Sequence, residues 1–111
     1  DVRFLPNPHW ETALRPLTGR DPAVVRWLSG QSEVRGFEAE LIETLQRWQP
    51  RLEASSRAYL TAAIGCTGGQ HRSVYLVERL AQALKATFGD VLLAHRELQT
   101  LGQAGMTGSA P

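Results

Sequence analysis

Cysteine, threonine, histidine, arginine and serine crowd into eight consecutive positions around a glycine pair, Cys66-Thr67-Gly68-Gly69-Gln70-His71-Arg72-Ser73. Gly68 and Gly69 free the backbone to curl close to a ligand. If a helix begins at Gln70 or His71, its first amides point outward without intrahelical partners and carry the positive end of the helix dipole. Such an array attracts anions. Arg72 adds a fixed charge, and Thr67, His71 and Ser73 add donors suited to phosphate or sugar oxygens. The plainer alternative, that two glycines merely permit a tight turn, leaves the clustering of the other residues unaccounted for.

The nucleotide-binding patterns GxxxxGK[ST] and GxGxxG are both absent from the chain, which disfavours a P-loop kinase. The loop does fit CxxxxxR[ST], from Cys66 to Arg72 and Ser73, a spacing that resembles the cysteine-dependent phosphatases. In such a site the amides and arginine hold a phosphoryl group while a thiolate attacks phosphorus, and the helix N-terminus lowers the thiol pKa. Against this, Gly65 stands where those enzymes usually place histidine, and Asp1, Asp21 and Asp90 occupy no obvious general-acid loop. The reading adopted is therefore a binding site with no catalytic residues. One cysteine with histidines at 9, 71 and 95 offers no paired metal-ligand spacing, so no metal site is expected.

Positioning this loop requires an element on either side. The apolar run Ala58–Ile64, followed by glycine, is expected to be a central parallel strand. A helix starting near Gln70 or His71 carries Val77, Leu80, Ala81, Leu84 and Phe88 on one face and stops at Gly89, after which Val91–Ala94 is expected as another strand. Strand, turn, helix and strand make a βαβ unit, whose ligands bind beyond the carboxyl ends of the strands. Upstream, Asp1–Leu5 alternates polar and apolar residues before the Pro6-Asn7-Pro8 turn and is expected to be a short strand that sets His9 near the loop. A short helical segment over Glu11–Leu17 and a helix from Pro22 to about Leu28 capped by Asp21 follow. Val34, Phe37, Leu41, Leu45 and Trp48 recur at helical spacing from Ser32 to Pro50 and are expected to be core. The resulting expectation is α/β: one domain over 1–101 with a small, mostly parallel sheet flanked by helices and a phosphate-binding strand-loop-helix, then a flexible tail over 102–111.

A length of 111 residues suits one domain, and 42% hydrophobic with 21% charged residues is the composition of a folded globular chain. No apolar run nears the ~20 residues a spanning helix needs, so no membrane partner is expected. A single cysteine excludes an internal disulfide and favours the cytoplasm, with Cys66 either a buried filler or a functional thiol. Beginning at Asp1 rather than Met suggests a piece of a longer protein. The cations are eleven arginines and one lysine, a bias toward phosphate recognition that a net charge of +1 does not by itself decide.

Three blocks, DVRFLPNPHW at 1–10, LTGRD at 17–21 and YLTAAIGCTGGQHRSVYLVERL at 59–80, resemble the C-terminal domain of the RNase adapter protein family (RapZ), and the likeness covers roughly residues 1–100. The resemblance implies an α/β domain that senses glucosamine-6-phosphate without catalysis. In enterobacterial members it also implies presentation of a small regulatory RNA to an endoribonuclease to control amino-sugar synthesis for the cell envelope. Carried to matching positions, the pocket comprises Asp1, His9, Cys66, Thr67, Gly68, Gly69, His71 and Arg72. Asn7, with Asp1, is of a type to meet the amine and hydroxyls, and Gln70 and Ser73 complete the loop. The resemblance further implies a homo-oligomer, no resident cofactor in this domain, and a nucleotide site only on an N-terminal P-loop domain.

The likeness departs at the end, where enterobacterial members carry a lysine-rich tail and this chain runs from Leu98 to Pro111 without a basic residue. Arg79, Lys85, His95 and Arg96 remain as candidates for an RNA-facing patch, although charges on a helix face ordinarily only solvate it. Two further readings stand beside the adapter: a sugar-phosphate sensor acting through protein partners alone, and the cysteine phosphatase.

Overall fold

A computed structural model describes residues 1–54 and 60–101 of the chain. Among the described residues four helices carry the fold: α1 (Pro22–Ser29), α2 (Ser32–Glu53), α3 (Arg72–Phe88) and α4 (Arg96–Leu101), preceded by one 3-10 turn over Pro8–Trp10. Among the described residues there is no strand and no sheet, so the expected α/β class with its parallel sheet is corrected to a helical fold.

The reason lies in how the expected strands spend their backbone groups. The Asp1 carboxylate accepts the Arg3 amide at 3.0 Å, and the Leu5 amide turns back to the Val2 carbonyl at 3.2 Å. Side-chain and turn bonds of this kind compete with a ladder. One backbone bond, from the Val2 amide to the Gly65 carbonyl at 2.7 Å, joins this segment to the run before the loop among the described residues. Residues 60–64 and 91–94 are irregular, and 58–59 lie outside the described residues. Short apolar runs do not by themselves distinguish a strand from other buried chain. The tail assigned to 102–111 also lies outside the described residues.

The helices follow their apolar spacing closely. Asp21 precedes α1 with Pro22 in its first turn, but its carboxylate accepts the Thr18 amide at 2.7 Å instead of capping the helix. Segment 11–17 forms consecutive turns rather than a helix, consistent with Pro16 having no N–H to continue one. Helix α2 runs three residues beyond Pro50, which sits in its last turn. Trp48 leaves the core stripe: it is 46% exposed, with the Arg51 guanidinium 4.7 Å above its ring.

Helix α3 is the central element. Its opening residues Arg72 to Leu76 are all buried, and Tyr75 and Leu76 join Val2, Leu5, Leu14, Val24, Leu28 and Val34 in one core. Burying these side chains is the main favourable contribution to folding, about 1.5–3 kcal/mol for each large one. Gly19 lets the LTGRD turn seat on this helix: its amide donates to the Gln70 carbonyl at 2.8 Å, and an added Cβ would lie 2.4 Å from the His71 carbonyl oxygen. Among the described residues no helix is long and apolar enough to cross a membrane.

Candidate functional site

The glycine loop and the start of α3 form the floor of a cleft of about 350 Å³, lined by Gly65, Cys66, Gly68, Gly69 and Ser73 and walled by Arg96 and Glu97. Gly68 and Gly69 have φ of +78° and +65°, a left-handed conformation that glycine adopts without a Cβ penalty. Cys66 is half-buried at the centre of this turn. Its Sγ lies 3.3 Å from Ser73 Oγ and accepts the Ser73 amide at 3.4 Å. Burial pushes the thiol pKa up, but the Ser73 hydroxyl and amide, the Gly69 amide and the Arg72 charge together outweigh it and hold the thiol below its ordinary value. The sulfur thus receives the amides and the positive potential that favour an anion.

Arg72 serves this loop from behind. It is buried, and Nη1 donates to the carbonyls of Arg3 at 2.7 Å and Leu5 at 3.0 Å, clamping the N-terminal segment to the first turn of α3. His71 is also buried, with Nε2 donating to the Leu14 carbonyl at 3.2 Å. Neither lines the cleft. Thr67 is exposed and Gln70 half-buried, the latter holding Gly19 through its carbonyl.

The N-terminal candidates lie apart from the cleft lining. Asp1 is exposed and ion-paired with Arg3 at 2.6 Å, and Asn7 Oδ1 accepts the His9 amide at 3.0 Å, capping the 3-10 turn. The exposed His9 ring sits edge-on to Trp10 with centroids 5.6 Å apart. Of the residues considered for an RNA-facing patch, Arg79 pairs with Glu38 at 3.1 Å, Lys85 is exposed, and His95 is buried against Glu78. Arg96 instead walls the cleft.

Glu97 and Gly65 are lining residues that sequence reasoning did not single out. No motif marks Glu97; the tie of His95 to Glu78 just before α4 and the contact of the Glu97 stem with Gly69 place it there. His95 Nε2 lies 2.6 Å from Glu78 Oε2, which also accepts Arg20 Nε at 3.2 Å. This ties the residue preceding α4 both to α3 and to the LTGRD turn. Burial pushes the Glu78 carboxyl up, but the bonds from His95 and Arg20 prevail and hold it below its ordinary value.

A family model described as the RapZ C-terminal domain matches residues 1–99. The chain belongs to that family. Its members include a nucleotide-binding protein of Shewanella loihica, 54% identical over 99 residues that make up 89% of this chain and 35% of the relative. A nucleotide-binding protein of Cupriavidus taiwanensis is 53% identical over 102 residues, 92% of this chain and 35% of that protein. The chain therefore spans about a third of the length of these curated relatives. The glycine loop and the LTGRD turn, two of the blocks that carry the family resemblance, meet at the Gly19–Gln70 backbone bond.

Proposed function

We propose that this chain is the metabolite-sensing part of a RapZ-type RNase adapter and binds an amino-sugar phosphate, glucosamine-6-phosphate, in the cleft at the start of α3. The observation carrying this reading is the convergence of the Gly69 and Ser73 amides on Cys66 beneath an open cleft, at the positive end of a 17-residue helix. A phosphate bound above the loop would meet the same field and the Ser73 hydroxyl, with no catalytic step required. Membership of the RapZ C-terminal domain family supports the same assignment. The sugar phosphate would act as ligand, and no resident cofactor is proposed for this part of the protein. In the whole protein, occupancy of the cleft would govern presentation of a small regulatory RNA to an endoribonuclease, in a cytoplasmic homo-oligomer.

Calorimetric titration of the chain with glucosamine-6-phosphate, against glucosamine and inorganic phosphate, tests this. Saturable binding to the sugar phosphate that Gly69→Val abolishes is expected; no binding would overturn the reading.

The depressed thiol favours one second reading, phosphoryl transfer through Cys66. The Arg72 fork weighs against it, because Nη1 is engaged with two backbone carbonyls rather than presented to the cleft. Turnover of an aryl phosphate that disappears in Cys66→Ser would support that reading, and absence of turnover would reject it.

A further inference from the structure

The cleft is not a uniformly positive pocket. Of its lining residues, Arg96 carries a formal positive charge and Glu97 a formal negative one, and they arrive side by side from the first turn of α4. Glu97 is half-buried, and its stem rests on the glycine loop: a Cβ on Gly69 would lie 2.5 Å from Glu97 Cγ and 3.3 Å from its Cβ. The carboxylate is therefore held at the same loop whose amides converge on Cys66. The placement is anchored from outside, through His95 on Glu78 and Glu78 on Arg20.

A fixed carboxylate beside an anion-attracting loop is unfavourable for a ligand that is only an anion, since like charges repel across a half-desolvated cleft. It becomes favourable when the ligand also carries a cation at a short distance from its phosphate. We propose that Glu97 is a specificity-determining residue, accepting a charge-assisted hydrogen bond from the ligand's ammonium group and so separating amine-bearing sugar phosphates from their neutral hydroxyl counterparts. This rests on the reading of the cleft as a sugar-phosphate site. The positive field at the start of α3 and the Ser73 hydroxyl draw the phosphate, and Glu97 takes the amine.

The probes are glucosamine-6-phosphate and glucose-6-phosphate, which differ at the amine, titrated by calorimetry into the full chain and its Glu97→Gln variant. The wild-type chain is expected to prefer the amine-bearing ligand by roughly tenfold, the size of one charge-assisted hydrogen bond. Glu97→Gln is expected to bring the two affinities together, weakening glucosamine-6-phosphate while glucose-6-phosphate binds at least as well as before. A variant that keeps the full preference overturns the role of Glu97 and leaves the sugar-phosphate site standing. A variant that loses both ligands also overturns it, because Glu97 would then build the cleft rather than read the amine. Wild-type chain that binds neither ligand overturns the site itself, and this proposal with it.

Discussion

His95 Nε2 lies 2.6 Å from Oε2 of Glu78, and this contact fixes the start of α4 against the middle of α3. The two residues are 17 apart in sequence, and the ring is almost wholly buried. The contact therefore decides where Arg96 and Glu97 stand relative to the glycine loop.

Glu78→Gln should loosen that anchor while leaving α1 to α3 helical. Weakening a charge-assisted hydrogen bond of this kind costs about 1–3 kcal/mol, and ligand affinity should fall because the α4 wall is no longer held. The pH response follows from the direction of the Glu78 shift. Its folded-state pKa lies below the ordinary value of 4.5, so the folded state favours the carboxylate. The stabilisation is present above that value and is lost as pH falls through the folded pKa. Denaturant midpoints measured on either side of this range should show an acid-dependent loss in the wild type that is smaller in Glu78→Gln.

Arg72→Ala should destabilise the chain by about 3 kcal/mol, since it leaves the Arg3 and Leu5 carbonyls without their buried donor. Arg72→Lys should recover only part of this, because an ammonium lacks the planar fork. Chemical denaturation reads both, as a shift in midpoint at constant slope. A variant with unchanged stability but lost phosphate binding would place Arg72 in the ligand site instead.

Gly19→Ala should be among the most damaging single-methyl additions in the chain. Its Cβ would lie 2.4 Å from both the His71 carbonyl oxygen and the Tyr75 amide nitrogen, and neither backbone atom can swing away. A loss of about 3 kcal/mol is expected, against little change for Gly36→Ala, where a Cβ meets nothing within 4 Å. Thermal melts of the two variants side by side make the comparison.

The Cys66 thiol should alkylate with a pH midpoint below its ordinary value of 9.0. Ser73→Ala removes the hydroxyl bond that stabilises the thiolate, so its midpoint should move up toward that value. The rate of iodoacetamide labelling across pH measures both. A midpoint that does not move would show that the hydroxyl leaves the thiolate unaffected.

Helices α1 to α3 were legible in the residues themselves because each is written by local signals, whereas no such signal marks α4 and the helical segment expected over Glu11–Leu17 is a series of turns. Pro22 after Asp21 opens α1, the three- and four-residue steps from Val34 to Leu45 trace α2, and Gly89 closes α3. The loop was legible for a similar reason: two glycines directly before a helix, with five chemistry-bearing residues around them, are a local pattern that no distant contact has to supply. The family was legible in the same local blocks, and the match over residues 1–99 agrees with them.

The expected strands were misread because a short apolar run states that a segment is to be covered, not what covers it. In Asp1–Leu5 the Asp1 carboxylate and a tight turn took the backbone groups that a ladder would need. What the sequence determined alone was thus helices α1 to α3, the loop and the chemistry it offers, since these depend on neighbours along the chain. Tertiary structure decided which of those side chains face the cleft. It turned Arg72 and His71 inward to hold Arg3, Leu5 and Leu14, and through His95 and Glu78 it brought in Glu97. Those outcomes depend on partners 17 to 69 positions away, a separation at which residue type and spacing carry no directional information.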